Sequence, residues 1–134
     1  MYFRPHHVAL TVQNMDETVA WYQDKLGGQV SSRYQSGKME IAIIMIDQVR
    51  LEFFCFGQDT QPLPQERKEL MSDLGVIGTK HLAIEVENIE EAIETLKNKD
   101  VEFATELATA SFGGRYIFFK DCDGILIELY QPNI

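Results

Sequence analysis

The chain says one thing twice. His7-Val8-Ala9-Leu10-Thr11-Val12-Gln13-Asn14-Met15-Asp16-Glu17 recurs as His81-Leu82-Ala83-Ile84-Glu85-Val86-Glu87-Asn88-Ile89-Glu90-Glu91, with His, Ala, Val, Asn and Glu identical in place. A second echo closes each half: Arg50-Leu51-Glu52-Phe53-Phe54 returns as Leu126-Ile127-Glu128-Leu129-Tyr130. Such a chain folds as two copies of one supersecondary unit. Each copy carries a histidine near its start and a glutamate near its end, and two half-sites of that kind make up the donor set of a divalent metal centre.

Periodicity predicts the unit. Residues 7 to 12 read as a strand, and Asn14 then stands as a helix N-cap with Glu17 three residues on, the spacing of a capping box. Met15, Val19, Tyr22 and Leu26 share one helix face, which Gly27-Gly28 stops. In the second half Asn88 caps, Glu91 follows, and Ile89, Ile93 and Leu96 form the stripe. Three strand-like runs come after each helix: 29 to 34, 39 to 46 and 49 to 56, then 101 to 107, 115 to 120 and 125 to 130. Ser36-Gly37, Asp47-Gln48, Gly113-Gly114 and Asp123-Gly124 read as turns. Each module is therefore βαβββ. We expect one domain over 1-134, with module one at 1-56, a polar connector at 57-79 holding a short helix around 65 to 74, and module two at 80-134.

Strand alternation sets the direction of the key side chains. Neighbours point to opposite sides, so Val8, Leu10 and Val12 pack under the helix while His7, Ala9 and Thr11 face away. Likewise His81, Ala83 and Glu85 oppose Leu82, Ile84 and Val86, and Glu52 and Glu128 oppose the apolar residues beside them. All four candidate ligands, His7, Glu52, His81 and Glu128, thus fall on the face without the helix. If the two sheets curve around one hollow, the four converge there. A lone strand histidine is more often structural, as His6 is read here, but a histidine at the same phase of both repeats is not chance. An unpaired carboxylate between apolar flanks is costly, which argues that Glu52 and Glu128 have a partner.

Composition narrows the function classes. At 134 residues, 45% hydrophobic and 25% charged, the chain has the make-up of an ordinary globular domain. A net charge of −9 with no basic cluster argues against nucleic acid as a partner. No apolar run is long enough to span a membrane and no signal-peptide pattern opens the chain, so a cytoplasmic protein is expected. The two cysteines, Cys55 and Cys122, form no metal-type pair and are read as thiols outside any disulfide.

His7-Val-Ala-Leu-Thr-Val with Trp21-Tyr22 and Leu26-Gly27, His81-Leu-Ala-Ile-Glu-Val, and Asp121-Cys-Asp-Gly-Ile-Leu-Ile-Glu128-Leu together resemble the vicinal oxygen chelate superfamily. That is the group of glyoxalase I, methylmalonyl-CoA epimerase, bleomycin-resistance proteins and extradiol dioxygenases, and the resemblance covers nearly the whole chain. It implies an α+β fold of paired βαβββ modules forming a cupped mixed sheet, with a metal ion in the cup. Carried over by position, the metal ligands are His7, Glu52, His81 and Glu128, and Glu52 and Glu128 are the residues that shuttle a proton. Two imidazoles and two carboxylates suit Ni, Co, Zn, Mn or Fe as divalent ions.

The fourth ligand points within that family to proton transfer rather than oxygen chemistry, because the dioxygenases and fosfomycin transferases use three protein ligands. Within that branch the Asp121-Cys-Asp-Gly hairpin resembles the glyoxalase form, which implies a lactoylglutathione lyase-like enzyme of the glyoxalase I type. Its small-molecule substrate is the hemithioacetal of an α-ketoaldehyde and a thiol, isomerised through an enediolate held at the metal. Thr11 stands where bacterial glyoxalase I commonly has an arginine for glutathione, which leaves the thiol open. A methylmalonyl-CoA epimerase-like enzyme is the first alternative, with Glu40 near the position of its second catalytic carboxylate or simply at a solvated strand end. A non-catalytic drug-binding protein of the bleomycin-resistance type is the second. Family members pair modules within a subunit or across an interface, and a homodimer is expected.

Overall fold

Two asparagines start the helices. The computed structural model describes residues 1–133, and in it Asn14 has extended backbone while its side chain accepts the Glu17 N–H at 3.0 Å. Asn88 does the same for Glu91 at 3.1 Å. The chain divides into two compact units, Met1–Pro62 and Leu63–Ile134.

In the first unit, strand β1 (Val8–Thr11) leads to helix α1 (Met15–Leu26), then to β2 (Gln29–Ser36), β3 (Met39–Ile46) and β4 (Val49–Cys55). Gly27 ends α1 in the left-handed conformation, φ 68°, where a side chain would be strained. Met15, Thr18, Val19 and Tyr22 are the buried face of α1, and Leu26 is half-buried. The sheet order is β1-β4-β3-β2, with β1 parallel to β4 and the other pairs antiparallel. Tyr22 of α1 meets Phe53 of β4 at 4.9 Å between ring centres. Ala42, Ile44, Leu51 and Phe53, fully buried, complete this core. Each large apolar side chain so placed contributes about 1.5–3 kcal/mol. Gly28 passes so close that an added Cβ would lie 2.7 Å from the Ile44 methyl and 3.2 Å from the Tyr22 carbonyl.

The second unit repeats the plan with β5 (Leu82–Glu85), α3 (Ile89–Asn98), β6 (Ala108–Thr109), β7 (Arg115–Lys120) and β8 (Leu126–Gln131), in the order β5-β8-β7-β6. The expected strand over 101 to 107 is reduced to one bridge, Phe103 to Phe119, flanked by backbone bonds from the Lys120 N–H to Glu102 and from the Ala104 N–H to Phe118, and ladder pairing resumes in the two residues of β6. Thr105 shows why: its hydroxyl accepts the Phe118 N–H at 3.0 Å, taking the place of a backbone carbonyl in the ladder. The closing hairpin turns at Cys122-Asp123, one residue early. There the Asp121 carboxylate accepts the N–H groups of Asp123 and Ile125, both at 2.9 Å.

The connector is more structured than its polarity suggests. Its expected helix is broken into a 3-10 turn at Gln65–Arg67 and a short helix α2 (Leu70–Leu74). Asp73 is buried there and receives Arg67 Nε at 2.8 Å, while Lys80 Nζ donates to the Asp73 carbonyl at 2.6 Å and to the Val76 carbonyl. A buried carboxylate must be paired, and these two cations pair it.

An arginine fastens each helix start to its sheet. Arg33 on β2 bonds Asp16 at 2.5 Å and Glu40 at 2.7 Å, and the Arg115 guanidinium on β7 grips Glu90. Hydrogen bonding from Arg115 holds the Glu90 carboxyl below its ordinary value of 4.5. A lowered carboxylate contributes stability that is in place above that value and is lost as pH falls through the lowered one.

Two measurements check these points. Gly28→Ala should cost about 1–3 kcal/mol in urea unfolding, the usual range for overpacking a core. Arg115→Gln should lower the melting temperature at pH 7, and the gap to wild type should close as the pH is taken below 4.

Candidate functional site

Parallel pairing places the first half-site. Ala9 of β1 lies opposite Glu52 of β4, so His7, two residues ahead of Ala9, shares the Glu52 face. On the other face of β4, Leu51, Phe53 and Cys55 go into the core under α1. His7 Nε2 stands 3.3 Å from Glu52 Oε1. The second unit repeats this atom for atom. Ala83 of β5 lies opposite Glu128 of β8, and His81 Nε2 stands 3.0 Å from Glu128 Oε1. The four residues expected from the sequence therefore form two Nε2···Oε1 pairs, one per unit.

The surroundings of the pairs differ. The His7 side chain is 39% exposed and its Nδ1 lies 2.8 Å from Nδ1 of His6, whose carbonyl accepts a hydrogen bond from Arg50 at 3.0 Å. The His81 side chain is 17% exposed and packs edge-on against Phe118 at 4.7 Å between ring centres. Its Nδ1 is buried with no hydrogen-bond partner among the described residues. Phe118 was not anticipated. It lies opposite Glu128 across the β7–β8 pair, so alternation along that hairpin puts it on the site face.

Glu40 goes the other way. It pairs with Cys55 across β3 and β4, which puts it on the helix-covered face with Phe53, and its carboxylate is held by Arg33. Arg33 lies opposite Ala42, on the same face. Glu40 thus anchors the start of α1 and does not join the face of His7 and Glu52.

Each pair offers a nitrogen lone pair and a carboxylate oxygen side by side, the donors that a borderline divalent cation takes. Among the described residues no group of three or more His, Cys, Asp or Glu side chains is arranged to hold a metal ion. The donor chemistry fits a metal two ligands at a time, and a four-ligand centre needs both pairs. The cysteines stand apart from this: Cys55 is buried in the first core, Cys122 lies exposed in the closing hairpin, and neither is in a disulfide.

The lead-in to His81 rests on the Asp73 cluster, since Lys80 is the residue before it. Asp73→Ala should therefore cost roughly 2 kcal/mol or more of stability. That is less than the about 3–5 kcal/mol of a fully buried pair, because the Arg67 side chain is 37% exposed. Chemical unfolding would measure it.

Comparison with known proteins bears on the family and the fold. The family model "Glyoxalase/Bleomycin resistance protein/Dioxygenase superfamily" matches residues 4–129. Among curated relatives, the mitochondrial methylmalonyl-CoA epimerase of Homo sapiens is 28% identical over 134 residues, covering 96% of this chain and 73% of that protein. The lactoylglutathione lyase of Neisseria meningitidis is 29% identical over 134 residues, covering 95% and 89%. The crystal structure of a glyoxalase family protein from Enterococcus faecalis superposes with a TM-score of 0.80 at 28% identity, covering 95% of this chain and 96% of that one. No helix among the described residues is long and apolar enough to cross a membrane.

Proposed function

Since this chain belongs to the Glyoxalase/Bleomycin resistance protein/Dioxygenase superfamily, we propose that it is a metal-dependent isomerase of the glyoxalase I type. Its substrate is the hemithioacetal of an α-ketoaldehyde and a small thiol, and its reaction moves a proton between neighbouring carbons. The observation that carries this reading is the repeated Nε2···Oε1 pair, His7 with Glu52 and His81 with Glu128.

His7, Glu52, His81 and Glu128 would hold a divalent ion of Ni, Co, Zn, Mn or Fe, which would supply Lewis acidity to stabilise negative charge on the substrate oxygens. His7 and His81 contribute neutral nitrogen donors. Glu52 and Glu128 balance the ion's charge, and one of them takes the proton from the first carbon and returns it to the second. Among the described residues the ion-pair partner of each of these carboxylates is its histidine. Glu40, gripped by Arg33 on the opposite face, takes no part.

A methylmalonyl-CoA epimerase-like activity is the second reading, supported by the relative of that name. The chemistry is related, since a proton leaves and returns at a carbon beside a thioester carbonyl. It needs two acid-base groups, and with Glu40 on the helix-covered face those would be Glu52 and Glu128.

Purified protein loaded with each metal should isomerise methylglyoxal in the presence of a thiol. His81→Ala and Glu128→Gln should each lower kcat/KM by about 10²–10⁴-fold. Turnover of methylmalonyl-CoA alone would move the assignment to the epimerase reading. Tight binding of a drug such as bleomycin with no turnover under any metal would reject both in favour of sequestration. The reading includes a homodimer in the cytoplasm, so the solution mass should be twice the chain's 15.4 kDa.

A further inference from the structure

We infer that His6 is the positioning residue for His7, accepting or donating the one proton that lies between the two imidazoles so that His7 Nε2 can switch between Glu52 and a metal ion. The inference rests on the reading of His7 as a ligand. The two Nδ1 atoms are 2.8 Å apart and the rings meet edge-on, 83° between planes. At that distance one nitrogen carries a hydrogen and the other accepts it.

The tautomers follow from what Nε2 faces. Where His7 Nε2 faces the Glu52 carboxylate, an acceptor 3.3 Å away, its proton belongs on Nε2. Nδ1 of His7 is then the acceptor, and His6 donates from its own Nδ1. To bind a cation through Nε2, His7 must move its proton to Nδ1, where a ligating histidine almost always needs an acceptor. His6 becomes that acceptor by carrying its proton on Nε2 instead. Both states of His7 keep Nδ1 satisfied, because an imidazole works in either direction.

His81 has no such partner. Its Nδ1 is buried and unpaired among the described residues, so a proton there meets no acceptor. The duplicated sequence explains the difference: the residue before His81 is Lys80, which cannot accept a hydrogen bond and is engaged with the carbonyls of Asp73 and Val76. His6 is held in place from behind through the bond between its carbonyl and Arg50.

The chain has three histidines, so nitrogen-15 NMR of the imidazoles reads each ring. In metal-free protein His6 should carry its proton on Nδ1 and His7 on Nε2, and on adding Zn²⁺ both should exchange tautomer. His6→Ala should weaken Zn²⁺ binding about 10-fold or more in a chelator competition, the range for losing such a partner. His6→Asn, whose amide can also donate or accept, should recover most of it. An unchanged Zn²⁺ affinity in His6→Ala, or a metal-free His6 with its proton on Nε2, overturns the inference. If wild type binds no Zn²⁺ at all, the metal reading fails instead, and the metal-free spectrum still decides whether His6 and His7 share the proton.

Discussion

Parallel pairing of the first and last strands of each unit is the constraint that everything else serves. A parallel pair cannot be closed by a hairpin, so the chain between must cross over, and here it does so as one helix and two antiparallel strands. The helix then covers one face of the sheet, where Leu51 and Phe53 are buried, and the glutamates lie on the other, with Ile43 opposite Glu52 and Phe118 opposite Glu128. Ala9 opposite Glu52 and Ala83 opposite Glu128 set each histidine, two residues upstream, beside its glutamate. A slip of one residue in either ladder would turn the glutamate into the core and the leucines out, at a cost no unit of this size could absorb.

Much of this was legible because its causes are local. An asparagine three residues before a glutamate caps a helix wherever it occurs, and Asn14 and Asn88 do so. The bounds of β3 and β7 were read from alternation and turns alone. What escaped depends on side-chain partners that no periodic pattern marks. The run 101 to 107 has the pattern of a strand, yet Thr105 spends its hydroxyl on Phe118, and nothing in the run itself reveals that. Asp73 looks like one more charge in a polar connector until Arg67 and Lys80 close on it. Arg33 and Arg115 do the same work in the two units from strands that do not correspond, β2 in one and β7 in the other, so the sequence repeat could not point from one to the other.

The site was legible as a set of four residues because the repeat marks them at equal phase, and the structure resolves that set into two pairs. The resemblance to the epimerase made Glu40 look available, as a residue near the position of its second catalytic carboxylate. The cross-strand register removes it: Glu40 faces Cys55 and Arg33, beneath the helix. That leaves Glu52 and Glu128, each beside its histidine, as the carboxylates of the proposed site.

Duplication fixes the backbone of both half-sites but leaves their surroundings free to diverge, and they have. His7 stands open, with a second imidazole able to follow its proton. His81 is wedged by Phe118, with one nitrogen on Glu128 and the other buried with no hydrogen-bond partner among the described residues. A buried Nδ1–H without an acceptor is costly, so the His81 proton is held on Nε2 toward Glu128 until something stronger replaces it. That makes His81 with Glu128 a settled hydrogen-bonded pair and His7 with Glu52 an adaptable one.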